Sequence, residues 1–325
     1  MQFSLIAVIP LIVLLIAYIY FDPFKVIRSY KDYSNPFVIP NRDYISTTMF
    51  LKNNKRFKYN SFIFGSSRVL AYKPESWLRH LSEKDKPFMF DASMESIYGI
   101  YTKIKFLDSL NVPMKNVLII ICRDETFNHS ENHEGHLYIK HPSVSGESAM
   151  TFQSQFFKAY LSPKFLFNFY YYVFSGKYES FMSGYIEHRK MAYDTITNQL
   201  RIIDQETEIT ENPAKYYRKR SQLFYTRKAE QVDSVQRINS KQLFMLQEIK
   251  RILEKHLTNY KIVISPLYEQ VKFSGPDQNI LNTIFRKNLY DFSGKNQFTE
   301  LITNYYETSH YRPNVGDSIF EIIYR

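Results

Sequence analysis

Two short blocks near opposite ends of the chain hold the residue types that acyl transfer requires. The first, Gly65-Ser66-Ser67, follows the stretch Tyr59-Asn60-Ser61-Phe62-Ile63-Phe64, an apolar run that climbs to Phe64. That pattern reads as a buried strand ending in a tight turn, presenting a hydroxyl at the carboxyl edge of a sheet, where open α/β sheets bind their ligands. The second is Glu307-Thr308-Ser309-His310. An imidazole can take the proton of a serine hydroxyl as it attacks a carbonyl, and a carboxylate three residues earlier can orient the ring. Ser67, His310 and Glu307 are thus the candidate nucleophile, base and orienting acid. Neither block is specific alone: Gly-Ser-Ser at a strand end is usually only a turn, and Glu-x-x-His decorates many helices and loops. Together they say more, because the serine follows the first sheet strand and the acid–histidine pair lies just before the last helix.

The elements that must position these blocks can be read from periodicity. Strands are expected at about 59–64, at 87–91, at 116–121, from Tyr260 to a stop at Pro266, and at 289–292. The run 116–121 is apolar without alternation, as in parallel strands covered on both faces. Between the strands lie helical patterns. Pro74 opens one with Trp77, Leu78 and Leu81 on one face, Ile97 to Leu110 repeats at three- and four-residue steps, and others run from Val235 to Leu253, over 279–285 and over 314–323. This alternation predicts an α/β fold of three layers, a parallel sheet with helices on both faces.

An insertion at about 125–232 interrupts the pattern. It carries Phe152, Phe156, Phe157 and Tyr160 at helical spacing, followed by an aromatic run over 165–172. It reads as a helical subdomain packing on the core, with a surface resting on a membrane as the other reading. Residues 22–57, with Pro23, Pro36, Pro40 and scattered charges, read as a connector. From Phe3 to Phe21 no residue is charged. At about 1.5 Å per residue that stretch would extend roughly 28 Å, so a transmembrane anchor is expected over 3–21. A cleaved signal peptide fits less well, since nothing basic precedes the apolar run and the residues at 17–21 are a poor cleavage site.

The rest of the composition is that of a globular protein: 44% hydrophobic, 23% charged, 27 Tyr and 27 Phe. The net charge of +10 favours anionic partners. The single cysteine, Cys122, excludes an intrachain disulfide and says nothing of redox compartment. Beside Arg123 it could be an activated thiol, but a buried strand-end cysteine is the commoner case. His129, His133, His136 and His141 crowd together, yet Gly135 and Pro142 mark a loop without the context of a zinc site, so no metal is expected. Lys215-Tyr216-Tyr217-Arg218-Lys219-Arg220 could hold a polyanion, against the plainer reading of a solvated helix face. No phosphate loop or other cofactor motif is present, and no nucleic-acid partner is expected.

On the two end blocks the chain resembles the SGNH/GDSL hydrolase superfamily, over about residues 58–325 with the insertion excluded. The family has a Gly-Asp-Ser block after its first strand and an Asp-x-x-His block near its end. Here Ser66 stands in place of the first aspartate and Glu307 in place of the second. The resemblance implies a flavodoxin-like sheet and two further donors to an oxyanion. One comes from the block after the second strand, Asp91-Ala92-Ser93, which makes Ser93 the candidate. The other is normally an asparagine after the third strand. Cys122-Arg123-Asp124 stands there, so either Arg123 takes the role or the role is lost. Members with one N-terminal anchor act in teichoic acid D-alanylation and polysaccharide O-acetylation. Their likeness implies an extracytoplasmic domain working on acyl groups, acetyl above all, of surface carbohydrate, beside a membrane-bound O-acyltransferase. The positive-inside rule points the other way through Lys25, Arg28 and Lys31. A catalytically degenerate scaffold that binds glycan or docks such an acyltransferase is the alternative, favoured by Ser66, Glu307 and the missing asparagine.

Overall fold

The computed structural model describes residues 2–325, with side chains from Ile9 onward. In chain order the elements are α1 (Gln2–Phe21), α2 (Arg42–Phe57), β1 (Ser61–Gly65), a 3-10 helix (Ser67–Ala71), α3 (Pro74–Leu78), β2 (Pro87–Asp91), α4 (Ile97–Ser109) and β3 (Asn116–Ile121). The insertion contributes α5 (Pro142–Ser145), α6 (Ala149–Tyr160), α7 (Pro163–Ser175), β4 (Met191–Tyr193), β5 (Leu200–Ile202), α8 (Ile203–Glu211), α9 (Pro213–Lys219) and β6 (Gln231–Val232). Then follow α10 (Ser240–Lys255), β7 (Asn259–Ile264), β8 (Val271–Lys272), α11 (Gly275–Phe285), β9 (Leu289–Asp291), β10 (Tyr305–Glu307), β11 (His310–Tyr311) and α12 (Pro313–Ile323).

β2, β1, β3, β7 and β9 form one sheet in that order, and every pair in it is parallel. Successive side chains on a strand point to opposite faces. Phe62, Phe64, Phe88 and Phe90 accordingly join one buried cluster, with residues of α2, α4, α10 and α11. Ile63, Met89, Leu118 and Val263 join a second, with the 3-10 helix, α3 and α12. Both faces are covered, which is why these strands are apolar throughout. The expected α/β architecture, with a five-stranded parallel sheet, is what forms.

The N-terminal region differs from expectation in two ways. Residues 22–57 do not form a plain connector. Asn41 caps α2 by accepting the Tyr44 N–H, Ile45, Met49 and Phe50 are buried on the sheet, and Lys58 ends the helix in the left-handed region. The buried face mixes Ile45, Met49 and Phe50 with Arg42, Asp43, Ser46 and Thr47, so apolar periodicity does not signal the helix. The transmembrane anchor expected over 3–21 is not supported either: among the described residues no helix is long and apolar enough to cross a membrane. The side chains of residues 3–8 in that expectation lie outside the described residues. Tyr18, near the end of α1, is buried against Phe157 and Tyr160 at ring distances of 5.3 and 5.1 Å.

The insertion is in two parts. Phe152, Phe156, Tyr160, Phe165 and Phe169 form a third apolar cluster, closed not by the sheet but by Phe24, Val26 and Val38 of the N-terminal segment. The β4–β5 hairpin returns to the sheet edge, where Met89 N–H donates to the Thr197 carbonyl at 2.8 Å. Asn198 Nδ2 donates back to Met89 O at 2.5 Å, so the open side of β2 is capped rather than left bare.

Candidate active site

Gly65 ends β1 with φ +149°, and a Cβ there would lie 2.7 Å from Ile120 O and 2.8 Å from Val69 Cγ1. Only glycine lets this turn lie so close to β3. Ser66 is buried, and its carbonyl accepts the Val69 N–H at 3.0 Å. Ser67 then opens the 3-10 helix. The far end of that helix meets α12 so closely that a Cβ on Gly316 would lie 2.1 Å from Ala71 O. Arg68 is buried beside the serine. It donates to Cys122 Sγ at 3.0 Å and pairs with Asp124 at 2.7 Å and Glu125 at 2.6 Å.

His310 arrives on a hairpin. β10 and β11 pair antiparallel with Glu307 opposite His310, so the three-residue spacing closes across the Thr308-Ser309 turn rather than along a helix face. Ser67 Oγ lies 2.7 Å from His310 Nε2. His310 Nδ1 is hydrogen-bonded to Glu307 Oε1, and Glu307 Oε2 accepts the Ser309 N–H at 2.6 Å. With its proton on Nδ1, the ring offers the Nε2 lone pair to the serine hydroxyl. The glutamate, one methylene longer than the aspartate of the family pattern, still reaches the imidazole. Burial pushes the Glu307 carboxyl up, but the hydrogen bond and charge of His310, the Ser309 N–H and the Arg68 guanidinium outweigh it and hold its pKa below the ordinary range. The His310 and Glu307 side chains are 31% and 30% exposed, open enough for a substrate.

Insertion residues that sequence reasoning missed brace this hairpin. Tyr216 Oη donates to Tyr306 O at 3.0 Å, and Tyr217 Oη donates to Thr303 O at 3.0 Å and Tyr305 O at 2.9 Å. Arg312, two residues past the histidine, is held bidentately by Glu206 of α8 at 2.9 Å. Within the basic run over 215–220, Tyr216 is buried and Arg220 stacks 3.8 Å over its ring while pairing with Glu208, whereas Lys215, Arg218 and Lys219 stay exposed.

Ser93 lines the same cavity as Ser67 and His310, a space of about 390 Å³. Its N–H donates to no acceptor among the described residues. Ser67, as the first helical residue, likewise has no intrahelical acceptor for its own N–H. Next to Ser93, Met94 sits at φ +47°, a strained conformation for this side chain. The loop from Asp91 to Ser96 is tied down from three directions. Arg42 pairs with Asp91 at 2.7 Å, Lys103 donates to the Asp91 carbonyl at 3.0 Å, and Glu95 receives Lys103 at 2.6 Å and Lys140 at 2.5 Å. Asp43 closes a buried quartet of two acids and two lysines, 3.1 Å from Lys103 and 3.3 Å from Lys140. No spacing rule could reveal these ties, which reach from 8 residues, Lys103 to Glu95, up to 97, Asp43 to Lys140.

Arg123 lies outside the cavity shared by Ser67, Ser93 and His310. Its guanidinium is held by Asp233 at 2.7 Å and Glu269 at 2.6 Å. Those two carboxylates lie more than 100 residues away in sequence, so the strand-end position alone pointed to a role that its ion pairs pre-empt. Cys122 is buried, and that burial pushes its thiol up to about 12 despite the adjacent Arg68. Of the four histidines, His129 and His133 lie ring to ring at 4.0 Å, while His136 packs on Phe24 and His141 on Tyr44. Among the described residues no group of three or more His, Cys, Asp and Glu is arranged to hold a metal.

The fold and site thus define an α/β protein with a Ser–His–Glu constellation at the carboxyl edge of its sheet. The chain matches no protein-family model and no curated protein.

Proposed function

We propose that this chain is a serine acyl hydrolase or acyltransferase of the SGNH type. The observation that carries the reading is the 2.7 Å approach of Ser67 Oγ to a His310 ring that Glu307 holds by its other nitrogen. Ser67 attacks an ester carbonyl while His310 takes the hydroxyl proton and passes it to the departing alcohol. The Ser67 and Ser93 N–H groups receive the oxyanion, and one such donor is typically worth roughly 3–4 kcal/mol of transition-state stabilisation. A fluorophosphonate should label the protein at Ser67, and Ser67→Ala should abolish both labelling and aryl-ester hydrolysis. Retained hydrolysis in that variant overturns the reading.

The surface-carbohydrate substrate and the extracytoplasmic location rest on family resemblance and stand as part of the proposal. So does attachment to a membrane through α1, which is supported by the exposed Ile9, Ile12, Val13 and Ile16. Release of the protein from membranes by alkaline carbonate, without detergent, would remove that part. The alternative of a degenerate scaffold that binds glycan or docks a membrane-bound O-acyltransferase draws on one observation, the commitment of Arg123 to ion pairs. That commitment leaves the third donor of the family pattern unfilled. The same hydrolysis assay separates the two.

A further inference from the structure

Two cavities, one of about 390 Å³ and one of about 680 Å³, share Leu70 and Ile202 as walls. Only the smaller is lined by Ser67, Ser93 and His310. The larger carries Lys73, Arg201, Glu206, Arg312 and Asp317. The smaller holds two cations as well, but both are neutralised in place: Arg42 bidentately by Asp91, at 2.9 and 2.7 Å, and Arg189 bidentately by Glu187, at 2.8 and 2.5 Å. The rest of its wall is chiefly apolar, with Ile39, Met94, Leu137, Met191, Leu200 and Ile202 among the lining residues. Met191, Leu200 and Ile202 are nearly fully buried on the β4–β5 hairpin, so this wall is part of the packed body.

An acetyl group would place one methyl in that space. The volume equals roughly a dozen water-sized groups at about 30 Å³ each. Apolar walls left facing water contribute nothing to binding, whereas methylenes laid along them gain transfer free energy. We infer that the smaller cavity is an acyl-chain chamber and that the substrate is an ester of a medium-length fatty acid, roughly six to eight carbons long, rather than an acetate. This rests on the serine-hydrolase reading above and replaces the acetyl group that the family resemblance implied. In the step, Ser67 Oγ bonds to the acyl carbon, the carbon–oxygen bond to the alcohol breaks, and the serine proton leaves through His310 on the alcohol. Water then attacks the acyl-serine, giving the free acid and restoring the serine.

The test is a series of p-nitrophenyl esters from acetate to decanoate, assayed with the full chain. kcat/KM should rise by up to about fourfold for each methylene buried. The optimum should fall near hexanoate to octanoate, on the order of a hundredfold above acetate. Octyl acetate, which moves the chain to the alcohol side, should show no such gain. Leu200→Trp should lower the octanoate-to-acetate ratio at least about tenfold. Leu137→Trp, at a half-buried position, does the same if the first variant fails to fold. An optimum at acetate, or an equal gain from octyl acetate, overturns the chamber while leaving the serine chemistry intact. No turnover of any ester together with no fluorophosphonate label overturns both.

Discussion

At the Ser67 end of the site the supporting contacts are mostly close packing against the core. Gly65 touches β3, Gly316 of α12 presses on Ala71, and Arg68 is buried among Cys122, Asp124 and Glu125. At the His310 end the chain is a two-residue turn at the surface, and its braces are tyrosine hydroxyls and the Glu206 carboxylate of the insertion, the latter holding Arg312. Ser67 is therefore positioned by close packing and His310 by a few directional bonds. Packing is shared with global stability, whereas directional bonds at a surface are not. Changes at the two ends should separate in what they damage.

The sharpest separation concerns the reacting atoms themselves. Ser67→Ala and His310→Ala should each lower aryl-ester kcat/KM by on the order of 10⁴-fold or more, and the double variant should lose little beyond either single one, because the pair acts as a unit. Neither change removes a buried apolar contact, so thermal midpoints should stay within a few degrees of the parent. Independent, multiplying losses in the double variant would break the claim that the two side chains share one proton path. Gly65→Ala should do the reverse. Its Cβ has no space against Ile120 O and its φ is unsuited to alanine, so the loss should appear first as stability, about 2–4 kcal/mol.

The next largest effect belongs to the buried quartet under the Ser93 loop. Lys103→Met leaves Asp43 and Glu95 with one lysine between them. Breaking a buried ion pair by removing one partner costs about 3–5 kcal/mol. The quartet also sets an acid limb. Burial pushes the Asp43 carboxyl up, but Lys103, Lys140 and the His141 N–H outweigh it and hold its pKa down to about 2. A carboxylate whose folded pKa lies below its unfolded value of about 3.9 contributes stability above that value and loses it as pH falls toward the folded pKa. Urea midpoints should thus drop between about pH 5 and pH 2, and Asp43→Asn should flatten that slope while lowering stability at neutral pH. An unchanged slope would show that other carboxylates control acid unfolding.

How much of this was legible beforehand follows the same division. The sheet could be read because β1, β2 and β3 are short apolar runs with helical spacing between them, and a core imposes such periods on sequence. Ser67, His310 and Glu307 could be named because a serine after a strand and an acid three residues before a histidine are local patterns. The supports were not legible. Tyr216 and Tyr217 looked like part of a basic run, and Arg123 like a candidate oxyanion donor, because hydrogen bonds and ion pairs between remote segments leave no period in the chain. α2 was missed for a related reason: its buried face mixes Ile45, Met49 and Phe50 with charged and hydroxyl side chains, and the capping Asn41 lies in a proline-rich stretch.

A smaller effect tests the surface end directly. Tyr216→Phe and Tyr217→Phe each remove a hydroxyl that holds the strand before Glu307. A neutral hydrogen bond contributes about 1 kcal/mol, so stability should fall by no more than that. kcat should fall by about tenfold with KM little changed, since a misplaced base affects the transition state more than ground-state binding. The double variant with His310→Ala should show no additional loss, because there is then no base to misplace. Additional loss in that background would mean that the tyrosines act on substrate binding instead.

The smallest expected effect is at Cys122, which lies between the two ends in sequence and beside Arg68 in space. A guanidinium 3.0 Å from a sulfur ordinarily favours the thiolate. Here burial is the larger influence and the thiol is pushed up to about 12. Asp124 and Glu125 take much of the arginine's charge, and both also act against the thiolate. The thiol should therefore stay protonated and closed to solvent. Iodoacetamide at pH 8 should leave the native protein unlabelled and its esterase rate unchanged, while the urea-unfolded chain takes up one label. Rapid labelling of the native protein would mean that the Arg68 cluster opens readily. Packing could then no longer be what fixes Ser67, and the contrast between the two ends of the site would fail at its more rigid side.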